Sequence, residues 1–269
     1  MAQCLAANNI EGVAGILNGT TNFILTKMIE DGMTFEDALK LAQDNGFAEK
    51  DPTADIEGFD ACRKVCILAS LAFGKHVYPN QVRAEGITKI TLEDVEYISS
   101  AHGVIKLLGQ IKKIDDDKIT AFVSPAVVFH GSQLASVNGV FNAILVRGDA
   151  VGDVCFYGAG AGKLPTASAV VADMVDCAVH VNRRKNFGWG PGSEDYVVDE
   201  KSALEMPFYV RAKATESEAV ALFHNVKFLT RTGQPSDEVA FITDSMTENA
   251  LDKKLKGVKV INKIKVTNY

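Results

Sequence analysis

GFAEKDPTADIEGFDACRKVCILASLAFG, residues 46–74, passes from a carboxylate-rich loop into an apolar pattern of helical period that a glycine closes. Pro52 restricts Asp51 to extended backbone and stops any helix from running through the loop. Asp55 is a plausible cap for a long helix that continues through Phe73 and ends at Gly74. On that helix Asp60 and Lys64 are four residues apart, so their side chains point the same way. Such a pair ordinarily contributes about 0.2–0.5 kcal/mol on a surface. Positions 56, 60, 64, 67 and 71 share one stripe, however, and the other three are Ile56, Ile67 and Leu71. Two charges in an apolar stripe face a core or a pocket, where unpaired charge is costly and functional groups gather. Periodicity alone leaves a binding or catalytic role and a structural ion pair equally open. Glu49, Asp51 and Asp55 crowd the helix start. For Asp51 a solvated loop position suffices, whereas Glu49 and Asp55 suit a cationic group such as an α-ammonium.

Working outward, residues 1–45 carry helical spacing, with Ile24, Leu25, Met28 and Ile29 before Gly32 and Phe35, Ala38, Leu39 and Leu41 after it. Thr34 and Asp37 have the spacing of a capping box. Downstream, strands are expected at 87–90, 119–123, 127–129, 143–147 and 154–157, with a helix over 92–107. A helix over 167–181 comes after the glycine-rich turn GAGAGK at 158–163. That turn is not a phosphate loop, which needs four residues between its glycines and a Ser or Thr after the lysine; Leu164 follows Lys163 here. Residues 182–202 are polar, rich in glycine, and expected as a linker. Beyond them strands and helices alternate in short runs. The fold class is therefore α+β: a mixed sheet covered by helices over residues 1–200, then a small βαββαβ unit over 203–269.

The bulk composition narrows the function. The chain has 269 residues, 47% hydrophobic and 23% charged, with a net charge of −6, which gives a nucleic-acid partner no electrostatic support. Acidic side chains outnumber basic ones before residue 200 and the reverse holds after it. Five cysteines without regular spacing argue against a disulfide framework. Cys62 and Cys66 could share a helix face, but no second pair completes a zinc set, so no metal is expected and they read as buried thiols in a reducing, cytoplasmic setting. No apolar run approaches a membrane span, and the first residues lack the pattern of a signal peptide.

The loop and helix also resemble a known family. Gly46, Glu49, Asp51, Pro52, Asp55, Gly58, Asp60 and Lys64 match, without a gap, a motif close to G-x-x-E-x-D-P-x-x-D-x-x-G-x-D-x-x-x-K of the homoserine dehydrogenases. NGTTNFILTKM at 18–28, LASVNGVFNAILVRGDAVGD at 134–153 and YGAGAGKLPTASAVVADMVD at 157–176 extend the likeness over residues 1 to about 181. The resemblance implies reversible reduction of aspartate semialdehyde to homoserine with NADP or NAD. It implies that Glu49 and Asp60 bind substrate, that Asp55 helps hold its amino group, and that Lys64 gives and takes the proton at its oxygen. Asp60 would fix either the lysine or a substrate group. Gly19 and Thr20 match positions near the substrate carboxylate, although Asn or Thr could equally be capping a helix there. Gly46, Gly160 and Gly162 match positions where backbone approaches the cofactor. No strand–GxGxxG–helix is present in this sequence, so the resemblance places the nucleotide-binding unit before its first residue, together with a second lysine and a sodium-binding loop. The cofactor would be bound mainly by that unit, and the chain as given is expected to be inactive alone. A homodimer is implied as well. The last unit resembles an ACT domain, but Thr215 to Glu218 replace its usual Asp-x-x-Gly turn. A non-enzymatic amino-acid-binding regulatory or dimerisation module is the alternative.

Overall fold

The computed structural model describes residues 4–182 and 188–269. In chain order the first elements are β1 (Ile10–Ile16), α1 (Gly19–Glu30), α2 (Phe35–Asp44), α3 (Thr53–Ile56), α4 (Phe59–Phe73), β2 (Arg83–Ala84) and α5 (Leu92–Ser100). Then come β3 (Gly103–Lys113), β4 (Ile119–Phe129), β5 (Phe141–Gly148), β6 (Gly152–Ala159), α6 (Lys163–Val179), α7 (Glu200–Ala203) and β7 (Glu205–Met206). The chain finishes with β8 (Phe208–Lys213), α8 (Glu216–Phe223), β9 (Val226–Leu229), β10 (Val239–Thr243), β11 (Met246–Thr247), α9 (Glu248–Lys254) and β12 (Lys259–Val266).

Among the described residues, one ten-stranded sheet runs in the order β6-β5-β1-β3-β4-β12-β8-β10-β9, with β2 beside β4. Most neighbours are antiparallel; β12 and β2 lie parallel to β4. β3 explains how one sheet carries two cores. Ile105, Leu107 and Ile111 face the helices, while Val104 and Leu108 on the opposite pleat pack with Ile16, Val128 and Leu134. Gly109 has no side chain because there is no room for one: a Cβ would stand 2.4 Å from Val65 of α4 and 2.7 Å from Leu17. That close approach fixes α4 and the end of β1 against each other across the sheet centre.

The α+β class holds, and several element boundaries move. The expected helical start contains β1, whose apolar run pairs with β3 and β5. The helix expected over 92–107 stops at Ser100 and the rest is β3, because His102 turns the chain at a φ of 60°. Residues 87–90 form a turn, and the short strand lies earlier at β2. α6 begins at Lys163 rather than 167. The long helix expected from Asp55 is two: Gly58, at a φ of 80°, breaks it into α3 and α4. Asp55 therefore sits inside α3 instead of capping. Thr34 does cap α2, its side chain accepting from Asp37 N.

Part of the expected linker, 183–187, lies outside the described residues. Within the remainder Tyr196 is buried, and Ile119 N donates to its carbonyl at 3.1 Å. The last unit has the order β8-α8-β9-β10-α9-β12 and is a split βαβ arrangement of ferredoxin-like type. Phe208, Val210 and Phe241 face Phe223, Leu251 and Leu255. Its other face meets α5, where Tyr209 donates to Asp94 and Arg211 to the Thr91 hydroxyl, at 2.9 and 3.0 Å.

Candidate active site

The end of β1 delivers two polar groups to one point. Asn18 caps α1 with extended backbone, its Oδ1 accepting from Thr21 N at 2.9 Å. The same side chain donates both amide hydrogens outward, to Asp55 Oδ1 at 2.7 Å and Asp60 Oδ2 at 2.9 Å. Lys64, one helical turn beyond Asp60, donates to Asp60 Oδ2 at 2.7 Å and to the carbonyl of Leu17 at 2.9 Å. Two consecutive residues, Leu17 and Asn18, thus hold three charged groups from α3 and α4. Burial pushes the Asp55 carboxyl above its ordinary range; the Asn18 amide opposes this, Asp60 adds to it, Lys64 opposes it and Glu49 adds to it.

The loop that carries Glu49 is tied to the same helix start. Thr20 Oγ1 donates to the Phe47 carbonyl at 2.7 Å, and Gln43 donates to the Glu49 carbonyl at 3.1 Å. Gly46 ends α2 at a φ of 73°, where a side chain would be strained. Asp51 accepts from Thr53 N and its hydroxyl and stays exposed, in keeping with a loop position. Glu49 is exposed and acts on Asp55 through its charge.

The apolar stripe does not face the core. Ile67 and Leu71 are 53% and 45% exposed, and the Lys64 and Asp60 side chains 46% and 30%. α4 buries Ala61, Cys62, Val65, Cys66 and Ala69 instead, so the charged stripe opens outward beside exposed apolar groups. Cys62 and Cys66 are indeed buried thiols.

Gly19 and Gly160 are drawn together by a residue that the motif does not single out. A Cβ on Gly160 would stand 2.7 Å from Asn142 Nδ2, and one on Gly19 would stand 2.7 Å from the Val140 carbonyl and 3.4 Å from Asn142 Oδ1. Asn142 Oδ1 is buried without a hydrogen-bond partner. Gly162 opens α6 at a φ of 116°. Asn18 and Asn142 both lie inside quoted motifs, but their reach is set by tertiary packing that spacing does not reveal. α6 itself has no buried residue, and Leu164, Val170, Met174 and Val175 stand open.

Comparison with known proteins decides the family. A sequence profile of homoserine dehydrogenases matches residues 1–175. The chain belongs to this family. A homoserine dehydrogenase from Neisseria gonorrhoeae is 37% identical over 97% of the chain and 64% of its own length. The crystal structure of a homoserine dehydrogenase from Thiobacillus denitrificans superposes with a TM-score of 0.85 and 34% identity, over 98% of this chain and 66% of that one. A hyperthermophilic archaeal homoserine dehydrogenase mutant in complex with NADPH matches at a TM-score of 0.55 and 31% identity, over 66% of this chain and 50% of that one. The chain thus spans between half and two thirds of the length of these homoserine dehydrogenases. Among the described residues, no helix is long and apolar enough to cross a membrane.

Proposed function

We propose that this chain is the substrate-binding and proton-transferring part of an NAD(P)-dependent homoserine dehydrogenase that interconverts L-aspartate 4-semialdehyde and L-homoserine. The observation that carries this reading is the Lys64 ammonium, fixed by Asp60 and the Leu17 carbonyl, within a cluster whose carboxylates outnumber its cations. Glu49 and Asp55 take the substrate ammonium. The start of α1 at Gly19 and Thr20 takes the carboxylate, since the first N–H groups of a helix favour an anion. Lys64 donates a proton to the substrate oxygen as that oxygen becomes negative, and removes it in the reverse direction. Asp60 aims the lysine.

The cofactor, when bound, supplies or accepts the hydride. The orphaned Asn142 Oδ1 and the glycine cradle at Gly160 fit a polar group arriving at that turn, and Gly46, Gly160 and Gly162 are the backbone positions that would meet it. We place the nucleotide-binding unit in the part of the relatives that this chain does not span. It would also cover α6. A homodimer through the edge of β6, where Phe156 and Tyr157 are 38% and 61% exposed, belongs to the same reading, as does a reducing cytoplasmic setting for the buried thiols of Cys62 and Cys66. We read the C-terminal unit as an ACT-like domain used for packing, because Tyr209 and Arg211 on its open face engage Asp94 and Thr91 at the start of α5.

Calorimetric titration of this chain with L-homoserine tests the proposal. Saturable binding is expected, and Glu49→Ala should weaken it at least tenfold. Binding that survives both Glu49→Ala and Asp55→Asn undiminished would sink the assignment. In a protein that includes the nucleotide-binding unit, homoserine-dependent reduction of NADP or NAD should appear.

A further inference from the structure

The loop-and-helix motif accounts for Asp55, Asp60 and Lys64, but not for what holds them in register across two helices. Asn18 is 6% exposed and all of its visible polar capacity is committed: one oxygen caps α1, and two amide hydrogens reach carboxylates at 2.7 and 2.9 Å. Asp55 and Asp60 belong to helices separated by the Gly58 break, so nothing in α-helical geometry sets the distance between them. We infer that Asn18 is the positioning residue of this site, its single amide clamping both carboxylates at a fixed spacing beside Lys64.

The chemistry of an amide suits this place. Two like charges with one shared cation repel each other, and a neutral double donor reduces the repulsion without adding a competing charge. A lysine or arginine in the same place would cancel the negative field that recruits an ammonium. An aspartate would deepen the repulsion. The groups facing Asp55 are Asp60 and Lys64 from α4, Glu49 from the preceding loop, and the Asn18 amide itself. Burial and the two acidic neighbours favour the protonated form of Asp55, while Asn18 and Lys64 oppose it. Removing the Asn18 donor therefore enlarges the protonated fraction at a given pH, which blunts any ammonium site made from Asp55. The acid limit of substrate binding should move to higher pH.

Asn18→Ser separates this role from capping, because serine caps a helix nearly as well as asparagine but is too short to bridge both carboxylates. Asn18→Asp is a second variant that keeps the capping oxygen and loses both donors. The full chain of each is compared with the parent by thermal unfolding, by carbon NMR titration of the Asp55 carboxyl, and by calorimetry with L-homoserine from pH 5 to 8. Asn18→Ser should keep a cooperative transition whose midpoint at neutral pH falls modestly, as loss of a donor to ionised Asp55 requires, and the Asp55 carboxyl should titrate at higher pH, further still in Asn18→Asp. The affinity of Asn18→Ser should fall, and the deficit should be larger at the acid end of the range than at pH 8. Superimposable Asp55 titrations, or an affinity loss equal at every pH, would overturn the inference. The homoserine arm rests on the function proposed above, whereas the NMR arm does not. A shifted Asp55 titration in a chain that binds no homoserine would uphold the clamp and remove the substrate.

Discussion

Two clusters of charge meet at the segment around residue 86, and they are built on opposite plans. On one side lies the Lys64 cluster, whose loop touches that segment where Ile87 N donates to the Ile56 carbonyl at 2.8 Å. On the other lies Glu248, 2% exposed, with Lys265 at 2.8 Å, Lys263 at 3.0 Å, Lys201 at 3.4 Å and Arg83 at 3.6 Å. Arg83 also pairs with Glu200 and Glu85, and Lys263 with Asp252, so the second cluster is closed upon itself. Around Asp55 the balance is different: Asp60, Glu49 and Asp55 face Lys64, and the group stays open to solvent. A cluster that neutralises itself joins pieces of the chain, here β2, α7, α9 and β12. The one short of a cation is the one proposed above to take the substrate ammonium.

The largest effect that would sharpen this contrast concerns the open cluster. In a protein that includes the nucleotide-binding unit, Lys64→Ala should lower kcat/KM by about 10²–10⁴-fold, the range expected for removing a positioned proton donor. Circular dichroism and the unfolding midpoint should barely change, because the Lys64 side chain is nearly half exposed. Turnover close to that of the parent would break the acid–base assignment. Glu248→Ala should do the reverse. It strands Lys265 and its neighbours in a buried place, and the expected loss of stability is about 3–5 kcal/mol by urea denaturation. A loss under about 1 kcal/mol, the size of a surface pair, would show that the closed cluster is not holding β2 and α7 to α9 and β12.

These two clusters also show how far the sequence can be read. The open one is legible because Glu49, Asp55, Asp60 and Lys64 fall within one short stretch, where helical spacing and a motif address the same atoms. The closed one joins Arg83, Glu200, Glu248 and Lys265 across the whole chain, and no local pattern connects them. β4 and β12 meet through Ala126–Lys265 and Val127–Val266, a parallel pairing that makes one sheet of what reads as two separate units. Lys106 is a comparable case. It lies in the apolar run of β3, yet it is fully buried and donates to the Val137 carbonyl at 2.7 Å and to Asn138 at 3.0 Å. Asn18 is visible in the sequence as a helix cap, but its reach to α3 and α4 depends on the close approach at Gly109.

Acid titration tests the closed cluster more gently. Burial raises the Glu248 carboxyl, and Lys265 and Lys263 more than offset this, leaving it at about 2 against an ordinary 4.5. A carboxyl depressed in the fold adds stability above its unfolded value and gives it up as pH falls toward its folded one. Stability should therefore decline between about pH 4.5 and 2, with up to about 3 kcal/mol traceable to this group. Glu248→Gln should be less stable at neutral pH and should lose much of that slope. An unchanged acid slope would place the coupling elsewhere.

The smallest expected effect separates spacing from setting. Lys40 and Asp44 on α2 have the same four-residue separation as Asp60 and Lys64, but they are 74% and 62% exposed and meet at 3.4 Å. Asp44→Asn should change stability by no more than about 0.5 kcal/mol, since an exposed pair is screened by water and loses side-chain freedom when it forms. Asp60→Asn should be almost as mild for stability, its partner being half exposed, yet it should weaken homoserine binding more than tenfold. Urea midpoints and calorimetry on the two variants measure both quantities. Should Asp44→Asn cost more than about 1 kcal/mol, the ion pair's value would lie in its helical spacing. If instead only Asp60→Asn alters binding, the value lies in the company Asp60 keeps: an amide that bridges it to Asp55, a lysine it aims, and a face left open.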